Sequence, residues 1–342
     1  MAYRVTLIPG DGIGPEVVGA ARRVLEATGV AFEWDEQVAG MAAFEATGDP
    51  LPPPVLDAIA RTRLALKGPL ATPVGGGFRS ANVRLRQHFD LYANVRPAET
   101  LPNTNTPFRG LDLVLYRENT EGLYAGIEYF DERNQIADSI ARVTRRGSER
   151  IVRFAFEDAR RRGRRRITLV HKANILKAAG RMFLDIGREI AKDYPDIAFD
   201  DRIVDNMAMQ LVIHPQDYDC LVTTNLFGDI LSDLMAGLVG GLGVTGSANV
   251  GDDCAIFEAV HGSAPDIAGK GIANPTAVIR AGEMLLRHVG EAEAAEAVRR
   301  ALHDVYAEGT RLTADLGGTA STDAFADHLA ARVERQMSKV EG

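Results

Sequence analysis

The sequence predicts an α/β fold with two lobes, on three observations. Strand-like runs alternate with helical patterns from one end to the other. A chain of 342 residues exceeds what one hydrophobic core usually organises. Apolar residues at 46% and charged residues at 25% are the proportions of a globular chain, not of a disordered or fibrous one.

In chain order, the strand-like runs cover residues 4–9, 64–68, 111–117, 167–172, 197–204, 218–224 and 255–261. A helix is expected over 15–27, because Pro15 suits a first helical turn and Val17, Val18, Ala21, Val24 and Leu25 recur on one face. Proline-rich stretches at 52–54 and 97–107 interrupt the pattern, and the second marks a crossing between lobes near residue 98. Residues 126–144 alternate weakly about Asp131-Glu132-Arg133-Asn134 and read as a hairpin arm apart from the main sheet, suited to dimerisation. The arginine-rich run 160–166 reads as a solvated helix C-terminus in register with the helix dipole.

Net charge −8 disfavours general affinity for nucleic acid or anionic membrane. No secretory leader or uninterrupted apolar stretch of spanning length is apparent, so no membrane association is expected. The two cysteines, Cys220 and Cys254, lie in apolar segments, which suits buried thiols in a reducing, cytoplasmic setting.

Asp229 and Asp233 are four apart in a helical pattern, so their carboxylates share one face. Such a pair suits Mg²⁺ or Mn²⁺, although on spacing alone a pair of exposed surface acids is the better reading, since acidic pairs at this separation are common. Arginines concentrate at Arg79, Arg84, Arg86, Arg96 and Arg117. Planar guanidinium groups clamp carboxylates through paired hydrogen bonds, so converging arginines suit a polycarboxylic acid. Arg79 and Arg84 are instead expected to face solvent or neighbouring aspartates. Gly10-Asp11-Gly12-Ile13-Gly14-Pro15 follows a strand, but its last glycine comes one position early for a dinucleotide fingerprint. A second loop begins at His261 and runs to Pro275 between a strand and a helix.

Together these segments resemble the β-decarboxylating dehydrogenase family, which includes isocitrate, homoisocitrate and 3-isopropylmalate dehydrogenases. The resemblance covers nearly the whole chain. It is carried by Ile8-Pro9-Gly10-Asp11-Gly12-Ile13-Gly14-Pro15-Glu16, Asp90-Leu91-Tyr92-Ala93-Asn94-Val95-Arg96-Pro97, Arg117-Glu118-Asn119-Thr120-Glu121-Gly122-Leu123-Tyr124, His171-Lys172-Ala173-Asn174, Asn225-Leu226-Phe227-Gly228-Asp229 and the His261 loop.

The resemblance implies the two-lobe isocitrate/isopropylmalate dehydrogenase fold, which is not a Rossmann fold. Residues 1–98 and 249–342 would form a large cofactor-binding lobe, and 99–248 a small lobe with the dimerisation arm. It implies a homodimer with shared active sites between the lobes. Arg86, Arg96 and Arg117 would hold substrate carboxylates, and Asp229 and Asp233 would join Asp205 of the partner subunit around Mg²⁺ or Mn²⁺. Lys172 from the partner subunit and Tyr124 would form the acid/base pair. Cofactor contacts are expected from Asn225, His261, Gly262, Ala264, Asp266, Ile267, Asn274 and Asp315.

Within that resemblance Ser80 and Asn82, spaced Ser-x-Asn-x-x-x-Arg before Arg86, resemble the isocitrate-type pattern and can donate to an extra carboxylate. Isocitrate is therefore the expected substrate, with homoisocitrate next and 3-isopropylmalate after it. NAD is expected over NADP, because Asp266 would meet a 2′-phosphate with like charge. Related NADP enzymes typically carry Lys-Tyr where this chain has Asp266-Ile267, and here Ala314 and Gly318 stand at later tyrosine and arginine positions. A noncatalytic regulatory subunit is the alternative of a different class. All eight residues named above for substrate, metal and acid/base roles are present, which argues against it.

Overall fold

A computed structural model describes residues 2–71 and 80–338. Arg79, expected at the surface, lies outside the described residues.

Twelve strands occur among the described residues: β1 (Tyr3–Ile8), β2 (Phe32–Glu36), β3 (Leu64–Lys67), β4 (Ala93–Glu99), β5 (Asp112–Glu118), β6 (Gly122–Asp131), β7 (Ile136–Arg142), β8 (Arg166–His171), β9 (Ala198–Ile203), β10 (Cys220–Thr223), β11 (Gly246–Val250) and β12 (Ala255–Ala259). Ten form one mixed sheet in the order β2-β1-β3-β12-β11-β4-β5-β10-β8-β9. The outer groups are parallel, and the pairings β12–β11, β11–β4 and β4–β5 are antiparallel. Both chain ends supply one side of the sheet, the middle of the chain supplies the other, and β4 and β11 join them. This order differs from that of a Rossmann sheet.

All seven expected strands form, each within a residue or two of its expected bounds. β2, β4 and β11 are additional. β3 and β12 carry almost unbroken buried runs, as strands covered on both faces must. The expected first helix runs Gly14–Glu26 with Pro15 in its first turn, and Val17, Val18, Ala21, Val24 and Leu25 all point into the core. That helix packs on Thr276–His288 and Thr322–Ser338.

β6 and β7 form the hairpin arm, longer than expected at its start. All of β7 is exposed, and Tyr129, Phe130, Ile136 and Ile140 present apolar side chains to solvent. Thr144 caps the following helix, Arg145–Arg161, by accepting from the Gly147 amide. The arginine-rich run that ends this helix is neutralised within the chain: Arg160 pairs with Asp196, Arg161 and Arg162 with Asp158, Arg164 with Asp112 and Asp219, and Arg166 with Asp200.

The sheet's edge strands are charged. β2 carries Glu33, Asp35 and Glu36, and β9 carries Asp200, Asp201 and Arg202. Cys220 and Cys254 are buried and unpaired, and burial pushes the Cys254 thiol up to about 12. No helix among the described residues is long and apolar enough to cross a membrane.

Candidate active site

Arg117 occupies the penultimate position of β5, at its C-terminal end, and is 1% exposed. A guanidinium so deep must find acceptors for its donors. Asn225 Oδ1 accepts from Nε at 2.9 Å and from Nη2 at 2.7 Å, while Nη1 donates to Asp229. Asn225 begins the helix Asn225–Val239, which starts directly after β10, the strand paired with β5, so topology brings these acceptors over Arg117. The close approach needs Gly228, where a Cβ would lie 2.6 Å from Arg117 Cγ.

Asp229 and Asp233 do project from one face of that helix, and Arg96 spans them. Its Nη1 donates to Asp233 at 3.0 Å and to Ser232 Oγ at 2.7 Å, and its Nη2 lies 3.7 Å from Asp229. Tyr124, at the root of the arm, donates its hydroxyl to Asp229, and Arg117 lies 5.0 Å over its ring. Burial alone would favour protonated Asp229, but Arg117, Tyr124 and Arg96 outweigh it and hold the carboxyl below its ordinary range. Burial, then the bond to Asp229, raises the Tyr124 hydroxyl.

The three arginines are close enough to disfavour one another. Burial followed by the charges of Arg86 and Arg96 brings Arg117 down to about 10, and burial followed by Arg86 lowers Arg96. Arg117 remains cationic near neutrality. Arg86 lies on the helix Ala81–His88 with its Nη2 3.6 Å from Glu258, and Asn82 and Arg86 line one small cavity of about 10 Å³ with Lys67, Asn249 and Glu258. Among the described residues the buried Asn82 Oδ1 and Arg86 Nε have no hydrogen-bond partner. Ser80 precedes this helix without capping it. Arg84 pairs with Asp49 at 2.5 Å, as expected for an arginine outside the cluster.

Lys172 and Asp205 form a second group. They pair with each other, Asp205 is 68% exposed, and that bond holds its carboxyl below the ordinary range. No three metal-ligating side chains gather within the described residues of one chain. Asp229 and Asp233 supply two hard oxygen donors, and Asp233 is 55% exposed, so the donor set fits a hard divalent cation completed from outside this chain.

The cofactor candidates form a third group. The His261 loop meets the first glycine loop: the Ile13 amide donates to Ser263 O at 2.9 Å, Glu16 accepts from the Gly269 amide at 2.6 Å, and Gly12, at φ +60°, could carry no side chain without striking Ser263. Gly262 and Asp266 are exposed, Ile267 is half-buried, and Ala264 takes the left-handed φ of +40° that ordinarily favours glycine. Burial lowers the His261 imidazole, whose buried Nε2 has no partner among the described residues. Asn274 donates to Asp315 at 2.9 Å. Asn225 stands apart from this group: its amide is committed to Arg117 and to the Glu121 carbonyl.

Sequence reasoning missed Asn94, Ser232, Asn249, Glu258 and Lys67. Glu258 and Lys67 were the legible ones, as lone charges inside apolar strands, and they pair with each other. Two larger clefts, of about 530 and 620 Å³, lie elsewhere, lined by Arg162, Arg164, Arg280 and Arg287 and the acids that neutralise them.

The sequence profile described as isocitrate/isopropylmalate dehydrogenase matches residues 4–329. Two Thermus thermophilus proteins are similar: an isocitrate/homoisocitrate dehydrogenase, 51% identical over 96% of this chain and 97% of its own, and an NADP isocitrate dehydrogenase, 48% identical over 92% of this chain and 64% of its own. Catalytic subunit 5 of the mitochondrial NAD isocitrate dehydrogenase of Arabidopsis thaliana is 46% identical over 95% of this chain and 88% of its own. The crystal structure of isocitrate dehydrogenase from Methylococcus capsulatus superposes with a TM-score of 0.93, at 60% identity, over 97% of this chain and 99% of that one. With a profile match over nearly its whole length and these relatives, the chain belongs to the isocitrate/isopropylmalate dehydrogenase family.

Proposed function

We propose that the chain oxidises and decarboxylates isocitrate to 2-oxoglutarate and CO2 with NAD, as a homodimer whose active sites draw on both subunits. The observation that carries this reading is the convergence of Arg86, Arg96 and Arg117, three cations that disfavour one another and welcome a polycarboxylate. Ser80 and Asn82 lead into Arg86, and the unpartnered Asn82 amide oxygen marks an unfinished polar wall. The site would lie between the lobes 1–98 with 249–342 and 99–248.

In this mechanism the arginines orient the acid. Asp229 and Asp233, with Asp205 of the partner subunit, would hold Mg²⁺ or Mn²⁺, which supplies Lewis-acid polarisation of the hydroxyl and carboxylate. The His261 loop, Asn274 and Asp315, together with Asn225 of the arginine group, would hold NAD, which would supply a hydride acceptor. Lys172 of the partner subunit takes the hydroxyl proton, and Tyr124 returns a proton after CO2 leaves. The raised pKa of Tyr124 keeps it protonated and able to donate. Lys172 and Asp205 pair with each other, and no third metal-ligating side chain joins Asp229 and Asp233 among the described residues of one chain, which supports delivery of Lys172 and Asp205 to a neighbouring site. The apolar arm supports a partner of the same kind. Buried, unpaired thiols suit a cytosolic location.

Homoisocitrate is the second reading, favoured by the name of the Thermus thermophilus relative and by the small discrimination one methylene provides, ~1–3 kcal/mol. Turnover of isocitrate, homoisocitrate and 3-isopropylmalate with NAD and Mg²⁺ decides between them. Ser80→Leu should damage isocitrate turnover more than isopropylmalate turnover, and equal losses would remove Ser80 from the pocket. Asp266→Lys with Ile267→Tyr should move kcat/KM toward NADP. A wild type that already prefers NADP overturns the cofactor assignment. Mixing inactive Lys172→Ala and Asp229→Ala chains should restore partial activity, since a heterodimer would contain one intact site. No recovery after verified subunit exchange sinks the shared-site arrangement.

A further inference from the structure

We propose that Asn249 is a positioning residue that sets the separation of Arg86 and Arg96, one amide joining the supports of both. The inference rests on the reading of those arginines as carboxylate holders. Asn249 lies on β11 and is 2% exposed. Its Oδ1 accepts from Asn94 Nδ2 and Asn119 Nδ2, both at 3.0 Å, and its Nδ2 donates to Glu258 Oε1 at 2.7 Å.

Two of the three contacts lead toward a substrate arginine. Asn94 Oδ1 accepts from Arg96 Nε at 2.9 Å, two residues along the same face of β4. Glu258 Oε1 lies 3.6 Å from Arg86 Nη2 and the same carboxylate pairs with Lys67. Asn119 is two residues beyond Arg117, and its Nδ2 also donates to the Leu91 carbonyl at 3.0 Å. The relay Arg96–Asn94–Asn249–Glu258–Arg86 thus crosses β4, β11 and β12, the strands that join the two sides of the sheet.

The chemistry demands an amide. The position must accept two N–H donors and donate to a carboxylate, and among side chains of this size only a carboxamide offers both. A carboxylate in its place would face Glu258 with like charge. An aliphatic side chain would withdraw one acceptor from Asn94 and Asn119 and one donor from Glu258 in a buried setting. Burial opposes ionisation of Glu258, yet Lys67, Arg86 and Asn249 hold it at about 2, so the acceptor at this end of the relay is an anion.

The test is steady-state kinetics with isocitrate varied at saturating NAD and Mg²⁺. Asn249→Asp keeps the acceptor and removes the donor, and should raise KM for the acid about tenfold, leaving KM for NAD unchanged within about twofold. The double variant Asn249→Asp with Glu258→Gln exchanges donor and acceptor while keeping one carboxylate in the pair, and should return KM toward wild type. A merely structural role would lower the melting temperature without this split and without rescue. If Asn249→Asp does not fold, Asn249→Ser carries the same expectation for KM. Arg96→Met is the control. If it raises KM for the acid and the Asn249 variants do not, the relay is overturned while the arginine reading stands. If Arg96→Met leaves KM unmoved, the arginine reading fails and the relay falls with it.

Discussion

Asn225 and Asp229 take three of the five donors of Arg117, two on a neutral acceptor and one on an anionic one, an arrangement a lysine ammonium cannot reproduce. Arg117→Lys should therefore resemble Arg117→Met. Both should lower kcat/KM by about 100-fold, equivalent to ~3 kcal/mol of lost transition-state stabilisation. Rescue of kcat/KM by the lysine variant alone would show that charge suffices and geometry does not matter. At this scale legibility varied with residue type. Arg86, Arg96, Arg117, Asp229 and Asp233 could be picked out because multiple charges at close spacing need an explanation, and the fold gathers all five. Asn94, Asn249 and Ser232 could not, since neutral polar residues are common and only tertiary packing shows that Asn94 and Ser232 are buried acceptors for Arg96 and that Asn249 bonds Asn94.

Among the elements, the helix Arg145–Arg161 depends on its start. Thr144 accepts from the Gly147 amide and also bonds Glu121, which ties the root of the arm to the helix. Thr144→Ala should cost about 1 kcal/mol in urea unfolding, and Thr144→Ser much less. An unchanged midpoint in the alanine variant would assign the cap no net worth. The arm makes a separate prediction. Replacing its tip, residues 127–140, with a short turn should lower the mass seen in sedimentation from the proposed dimer to monomer and abolish any dependence of thermal unfolding on protein concentration. The strands read correctly from sequence each carry three or more apolar residues, although in β9 Asp200, Asp201 and Arg202 separate Phe199 from Ile203. β4 escaped because Arg96 and Pro97 interrupt it, and β11 because Gly246, Ser247 and Asn249 give it little hydrophobic signal, although both lie in the middle of the sheet.

For the whole molecule, stability should fall steeply in acid. Glu99 and Glu258 are buried, which alone would favour protonation, but arginine, lysine and histidine partners hold each at about 2, and Glu296 reaches about 2 chiefly through Arg299. Depressed carboxylates stabilise fully above their unfolded pKa of about 4.3, and this stabilisation is lost as pH falls from there toward 2. Urea midpoints should thus decline between pH 5 and pH 3, less steeply in Glu258→Gln, and a flat profile would contradict the depressed values. The same molecule leaves two strands at the sheet margins, β2 and β9, each carrying a row of charges. A further chain aligning on β2 would bring its backbone against Glu33, Asp35 and Glu36, and one aligning on β9 would have to displace Arg166 and Arg188 from Asp200 and Asp201. Fibrillar growth by strand addition is therefore obstructed at both margins, even though the sheet between them is ten strands wide. Colloidal behaviour at high concentration should consequently follow these few marginal acids more than the overall charge, and Glu33→Val with Asp35→Val should accelerate turbidity where the same change on an exposed helix does not.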